Sequence, residues 1–144
     1  MATQLATVEH LLGVPPRIGD TRLGLADSIT SGLPVTALDH LADEVAPNDT
    51  RFKFRVIPKA TLDRRKKSAS RRLTSEEGDR LARVAKVFSF AMDIYQDKDR
   101  AREFLGRPHA MLDGKAPLDV ALATGPGADV VINLLGRAAY GGGA

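Results

Sequence analysis

Apolar residues recur along this chain with the helical period almost throughout, and the alternation expected of strands is scarce, which predicts an all-α fold. A first helix from about Thr3 to Leu12 aligns Leu5, Val8, Leu11 and Leu12, and Gly13 with Pro15-Pro16 ends it. A second, Thr21 to Thr30, brings Leu25 and Ile29 onto one face, with Gly32 as its stop. Pro34 suits the first turn of a third helix whose Leu38, Leu41, Ala42 and Val45 form an inward stripe. Asn48 or Asp49 can cap a short helix holding Phe52 and Val56. The alternation of Arg51-Phe52-Lys53-Phe54-Arg55 predicts that this helix is short or distorted. Another helix, from Pro58 to Ser68, opens with proline at its first position.

Thr74 and Glu77 stand three apart, the spacing of a capping box, and open the longest helix, Ser75 to Tyr95. One of its stripes is Leu81, Val84, Ala85, Phe88, Met92 and Tyr95; a second is Val87, Phe90, Ala91 and Ile94. A helix apolar on two sides is either central to a core or lies at a subunit interface. Beyond it, Asp97 caps a segment from Lys98 to Leu105 that buries Ala101, Phe104 and Leu105. A turn from Pro108 to Leu112 ends at Asp113-Gly114, and Pro117 starts a helix through Leu118, Ala121 and Leu122. Gly125-Pro126-Gly127 breaks it. The last helix, Ala128 to Ala139, presents Val130, Val131, Leu134, Leu135 and Ala138 as an apolar face, and Tyr140-Gly141-Gly142-Gly143-Ala144 reads as a flexible tail.

Composition narrows the class. At 144 residues the chain makes one compact domain or two small ones, and its 43% hydrophobic and 27% charged residues are those of a soluble globular protein. No apolar run is long enough to span a membrane and the N-terminus lacks the pattern of a secretion signal, so a cytoplasmic protein is expected. Cysteine is absent, which excludes disulfides and thiolate metal sites.

The net charge of +3 conceals an uneven distribution. Residues 1–50 carry a net charge of −5, residues 51–72 carry +9, and residues 73–144 carry −1. The middle block holds ten basic residues and a single acid, Asp63, which marks a surface for a polyanion. It also coincides with two short helices joined by a tight turn, the pattern of a helix-turn-helix. The first runs from about Thr50 to Val56, the turn is Ile57-Pro58, and the recognition helix is Lys59 to Lys67. With Leu62 turned into the core, Ala60, Arg64 and Lys67 fall on the opposite face, flanked by Thr61 and Asp63. Arg64 has the forked donors that read guanine in the major groove. The expected DNA-contacting residues are Lys59, Ala60, Thr61, Arg64, Arg65, Lys66, Lys67, Arg71 and Arg72; of these Lys66, Lys67, Arg71 and Arg72 suit phosphates, where they add affinity and salt dependence but little sequence information.

Nothing points to catalysis. His10, His40 and His109 lie in three separate elements with no carboxylate motif around them, and no hydrolase, nucleotide-binding or zinc-protease signature is present. No catalytic residue, metal site or cofactor is expected.

From Ile57 onward the string becomes specific. Ile57-Pro58-Lys59-Ala60-Thr61-Leu62-Asp63-Arg64-Arg65-Lys66, then Leu73-Thr74-Ser75-Glu76-Glu77-Gly78-Asp79-Arg80-Leu81, resemble the recognition segment and the start of the long helix of Xre/MbcA/ParS-type antitoxins. Further on, Ala101-Arg102-Glu103-Phe104-Leu105, Pro108, Pro117-Leu118-Asp119, Leu134-Leu135-Gly136-Arg137 and Tyr140-Gly141 resemble that family's C-terminal toxin-binding domain. Gly78 stands where the family usually has serine, and Phe104-Leu105-Gly106 replaces a more common Trp-Leu pair. The resemblance spans about Gly19 to Ala144.

The resemblance implies an N-terminal extension over 1–18, a helix-turn-helix DNA-binding domain over 19–73 and a toxin-binding domain over 74–144. It implies a partner with a RES domain, a toxin that consumes NAD+ or modifies proteins with ADP-ribose. The toxin would be met by Leu134, Arg137, Tyr140, Gly141, Gly142, Gly143 and Ala144, with the slender tail entering its active site. A homodimer within a larger toxin–antitoxin complex, bound to operator DNA, is the expected assembly. The alternative is a stand-alone helix-turn-helix repressor whose C-terminal half only dimerises.

Overall fold

A computed structural model describes residues 4–14 and 23–141. Among the described residues no strand forms, and two isolated bridges, Pro34 with Arg72 and His109 with Lys115, are the extended pairings. The chain divides into two compact units, Met1–Ala82 and Arg83–Ala144, so the boundary falls inside the long helix, later than residue 73.

The first unit holds α1 (Gln4–Leu11), α2 (Gly24–Ser31), α3 (Thr36–Val45), α4 (Phe52–Val56), α5 (Lys59–Lys67) and the opening of α6 (Ser75–Tyr95). Its core gathers Val8, Leu11, Leu12, Leu33, Leu38, Leu41, Phe52, Val56, Ile57, Leu62 and Leu81. Each large aliphatic or aromatic side chain so buried contributes about 1.5–3 kcal/mol. Val8, Leu11 and Leu12 belong to that core, so the N-terminal helix is a packed part of the unit. Gly13 makes the turn after it possible: its φ is +65°, and a Cβ there would lie 2.4 Å from the His40 ring on α3.

The start of α3 differs from the expectation. Pro34 lies ahead of the helix, held extended by its bridge to Arg72, while the Val35 amide donates to the Arg71 carbonyl at 3.0 Å and the Leu73 amide to Leu33 at 2.8 Å. The connection after α5 is thereby laced to the segment before α3, and that pairing takes Pro34 out of the helix. Pro58 likewise stands one position before α5, with ψ at 144°, and its carbonyl accepts the first helical bond from the Leu62 amide at 2.9 Å.

The second unit holds the rest of α6, then α7 (Lys98–Gly106), a 3-10 turn (Ala110–Leu112), α8 (Pro117–Ala123) and α9 (Gly125–Gly141). Asp97 caps α7 by accepting from the Arg100 amide at 3.1 Å. Asp113 and Gly114, at φ of 57° and 78°, turn the chain back so that His109 and Lys115 pair. Pro117 takes the first turn of α8, where its missing N–H has no partner to lose.

Gly125-Pro126-Gly127 does end α8, but it also forms the first turn of α9, contrary to the expected start at Ala128. Thr124 caps that turn, its Oγ1 accepting from the Gly127 amide at 2.9 Å, and proline is tolerated there for the reason given for Pro117. Gly127 is required by packing, since a Cβ would lie 2.3 Å from the Val120 carbonyl oxygen. The buried face of α9 is Ala128, Val131, Leu134 and Leu135; Val130, expected on that face, is 50% exposed because it lies off the i, i+3, i+4 stripe those residues form. The helix continues through Tyr140 to Gly141, so these two belong to α9 and not to a flexible tail.

Of the two expected stripes of α6, Leu81, Val84, Ala85, Val87, Phe88 and Ala91 are buried, while Phe90, Met92, Ile94 and Tyr95 toward its end are half-buried.

Candidate nucleic-acid and partner interfaces

Helix α5 follows α4 after the two-residue turn Ile57-Pro58, and it buries a single side chain, Leu62. Ala60, Asp63, Arg64, Lys66 and Lys67 are exposed and Thr61 is half-buried, so the face opposite Leu62 carries the predicted groups. Helix α4 is five residues long, with Phe52 and Val56 buried and Phe54 exposed beside it.

The basic block divides into two kinds of side chain. Arg65 turns its fork onto Glu77 at the start of α6, with Nε at 3.0 Å from Oε1 and the second contact at 3.2 Å to Oε2. Glu77 is also the partner in the capping box: Thr74 N–H donates to it at 2.9 Å, and the Glu77 amide donates to Thr74 Oγ1 at 3.2 Å. Burial opposes the charge on Glu77, but the hydrogen bonds from Arg65 and from Thr74 outweigh it and hold the carboxyl below its ordinary range. The same hydrogen bond raises the Arg65 guanidinium further above neutrality. One carboxylate thus fixes both the start of α6 and the roll of α5.

Other arginines and lysines of the block are engaged within the unit. Arg72 donates to the Gly32 carbonyl at the end of α2, at 2.7 Å. Lys53 on α4 pairs with Asp39 on α3 at 2.6 Å, and Lys59 with Asp63 at 3.6 Å across one turn. Just outside the block, Arg80 donates to the Val56 carbonyl that ends α4, at 2.8 Å. In the second unit Arg83 bonds the Ala121 and Leu122 carbonyls at 3.0 and 2.8 Å, closing the end of α8. Three arginines therefore satisfy three helix C-termini, where carbonyls lack partners and the dipole favours a cation. Sequence reasoning did not find this role.

Arg64, Lys66, Lys67 and Arg71 remain as exposed cations on and just after α5. Arg71 holds φ of +50°, an uncommon conformation for a side-chain-bearing residue, fixed by its carbonyl bond from Val35. Lys66, Lys67 and Arg71 can contact a polyphosphate backbone while α5 presents Arg64 to base edges.

In the second unit the predicted partner residues separate. Leu134 is 5% exposed and packs in the α9 core, whereas Arg137 is exposed on the same helix. Tyr140 and Gly141 lie in the last turn of α9, and Gly142, Gly143 and Ala144 lie outside the described residues. Gly136 precedes Arg137, and among the described residues nothing lies within 4 Å of its Cβ position. The described residues contain no cluster that could hold a metal ion and no helix long and apolar enough to cross a membrane.

Comparison with known proteins accounts for both halves. Residues 24–86 match the family described as the antitoxin Xre-like helix-turn-helix domain, and residues 90–141 match the antitoxin Xre/MbcA/ParS C-terminal toxin-binding domain. The chain is 32% identical over 143 residues to a protein of Yersinia enterocolitica named antitoxin Xre, covering 97% of this chain and 93% of that one. A protein of the same name from Photorhabdus laumondii is 31% identical over 118 residues, covering 78% of this chain and 76% of its own.

Proposed function

This chain belongs to the antitoxin Xre family, whose members are antitoxins and not enzymes, and on that premise we propose that it neutralises a RES-domain toxin by covering its active site. The toxin is one that consumes NAD+ or transfers ADP-ribose, as the resemblance of residues 101–141 to that family's partner-binding segment implies. The same chain represses its own operon in the cytoplasm, binding operator DNA as a homodimer through residues 19–73 while residues 74–144 hold the toxin. The observation that carries the reading is the joining of an exposed cationic α5 to a toxin-binding domain in one chain. Arg64 of α5 meets base edges, and Lys66, Lys67 and Arg71, on and just after that helix, meet phosphates. Arg137, Tyr140 and Gly141 of α9, together with Gly142, Gly143 and Ala144, meet the toxin, and Leu134 supports the helix from the core.

The test is co-expression with a RES-domain protein encoded beside this gene, followed by growth and co-purification. Toxicity of that protein alone, relieved in a stable complex with this chain, is the expected result. A harmless neighbour that does not co-purify overturns the RES assignment and leaves a stand-alone repressor. Operator binding is read separately: affinity should fall linearly with log salt, with the slope set by the number of phosphate contacts.

A further inference from the structure

The second unit, within the segment that matches the toxin-binding domain, carries a cleft to which the reading above assigns no role. It has a volume of about 440 Å³ and is lined by Tyr95, Arg100, Glu103, Phe104, Arg107 and His109, a size within the range of small-molecule sites. Tyr95 ends α6, Arg100, Glu103 and Phe104 lie on α7, and Arg107 and His109 belong to the return after it. The frame is pinned at both ends, by the Asp97 cap before α7 and by the His109–Lys115 bridge after it.

One part of the lining is aromatic. The rings of Tyr95 and Phe104 stand 6.0 Å apart at 45°, and both side chains stay half-buried instead of closing into the core. The rest is rich in donors. Arg100 and Arg107 are exposed, and Glu103, the one carboxylate, is engaged by Arg107. His109 Nδ1 accepts from the Met111 amide at 3.2 Å, so the neutral ring carries its proton on Nε2 and offers a further donor. Aromatic faces beside guanidinium forks recognise a flat base joined to an anion: bases stack on such rings, and guanidinium groups take phosphate oxygens in pairs.

The geometry points to a nucleotide site in this cleft, with the base against Tyr95 and Phe104 and the phosphate on Arg100 and Arg107. The site is read on the full chain and needs neither toxin nor operator, so its outcome is independent of the function proposed above.

Tyr95 and Tyr140 are the two tyrosines of a chain without tryptophan. In a Tyr140→Phe background, Tyr95 emission therefore reports the cleft directly. The full-length protein is titrated with AMP, adenosine, inorganic phosphate and a short single-stranded oligothymidylate. Saturable quenching by AMP is expected, with adenosine and phosphate each at least about tenfold weaker, because each keeps only half of the contacts. Arg100→Gln, an exposed change whose folding is checked by circular dichroism, should weaken AMP about tenfold through loss of a charge-assisted bond. No saturable response to AMP overturns the site. AMP binding no tighter than phosphate, or unmoved by Arg100→Gln, overturns it as well by reducing the effect to surface charge. Oligothymidylate binding that is sensitive to Arg100→Gln, with none of AMP, transfers the cleft to a nucleic-acid strand and overturns the free-nucleotide assignment.

Discussion

Helix α5 buries one side chain, Leu62, while helix α9 buries Ala128, Val131, Leu134 and Leu135 among its described side chains. The two helices are proposed to meet different partners, and they are anchored by different physics. Apolar area fixes α9 against α8, with Gly127 allowing the two backbones to approach. Helix α5 has almost no apolar face to offer, because nearly every position is a cation or a small residue. Its roll is fixed instead by the fork of Arg65 on Glu77. A surface given over to a polyanion leaves little sequence for packing, so one ion pair takes up positioning that a hydrophobic stripe performs elsewhere.

The largest effect should come from the apolar anchor. Leu135 is fully buried, and Leu135→Ala removes its side chain and leaves a cavity, at a cost of about 2–5 kcal/mol in urea unfolding. A loss well below that range would show that α9 is not held by its packed face, and the contrast with α5 would weaken.

The polar anchor should give a smaller loss with a different signature. Arg65→Ala leaves Glu77 buried without its main partner and should cost about 2 kcal/mol, the scale of a charge-assisted hydrogen bond together with an unsatisfied carboxylate. Arg64→Ala, one residue earlier and exposed, should change stability by less than about 0.5 kcal/mol yet weaken operator binding by about 1–3 kcal/mol. Acid distinguishes the pair further. The Glu77 carboxyl titrates lower in the folded protein than in the unfolded chain, so its contribution is fully present above the unfolded value near 4.3. That contribution is lost as pH falls through the lower folded value. Arg65→Ala should flatten this part of the stability profile; an unchanged acid limb would remove the ion pair as the anchor of α5.

How much of this was readable in advance follows from where each interaction closes. The capping box of Thr74 and Glu77 and the bounds of α6 are local, and the spacing of residues 74–95 announces both. The single buried Leu62 and the exposed Arg64 and Lys67 follow from the helical period alone. What the spacing could not announce is the second partner of Glu77, because Arg65 reaches it only once α5 and α6 are folded together. The same holds for Arg72, Arg80 and Arg83, whose acceptors are carbonyls exposed by helix ends that exist only in the folded unit. In the string they are indistinguishable from the cations left exposed. The glycines of α9 show the same limit: Gly-Pro-Gly reads as a break, and only the Thr124 cap and the close carbonyl of Val120 make it a helix start.

A further difference lies within α6. Ser89 is fully buried, and its hydroxyl has no hydrogen-bond partner among the described residues. Ser89→Ala removes that unsatisfied group at little cost in volume and should raise stability by about 1 kcal/mol. A fall in the urea midpoint would instead show that the hydroxyl is bonded in solution, and that α6 is not held by apolar contacts alone.

The smallest effect concerns Gly136, which sits in the interior of α9 at a position where helix propensity disfavours glycine. Gly127 in the same helix has a packing reason; Gly136 has none among the described residues, where a Cβ meets nothing within 4 Å. Gly136→Ala should therefore stabilise the isolated protein by about 0.5–1 kcal/mol, through the lower backbone entropy lost on folding. A loss of stability would mean that the glycine serves the antitoxin's own fold. If the gain appears and toxin binding weakens at the same time, the open space beside Gly136 is where the partner's backbone approaches. Helix α9 would then be anchored on one face by its apolar stripe and read on the other by a surface that owes its shape to a missing side chain.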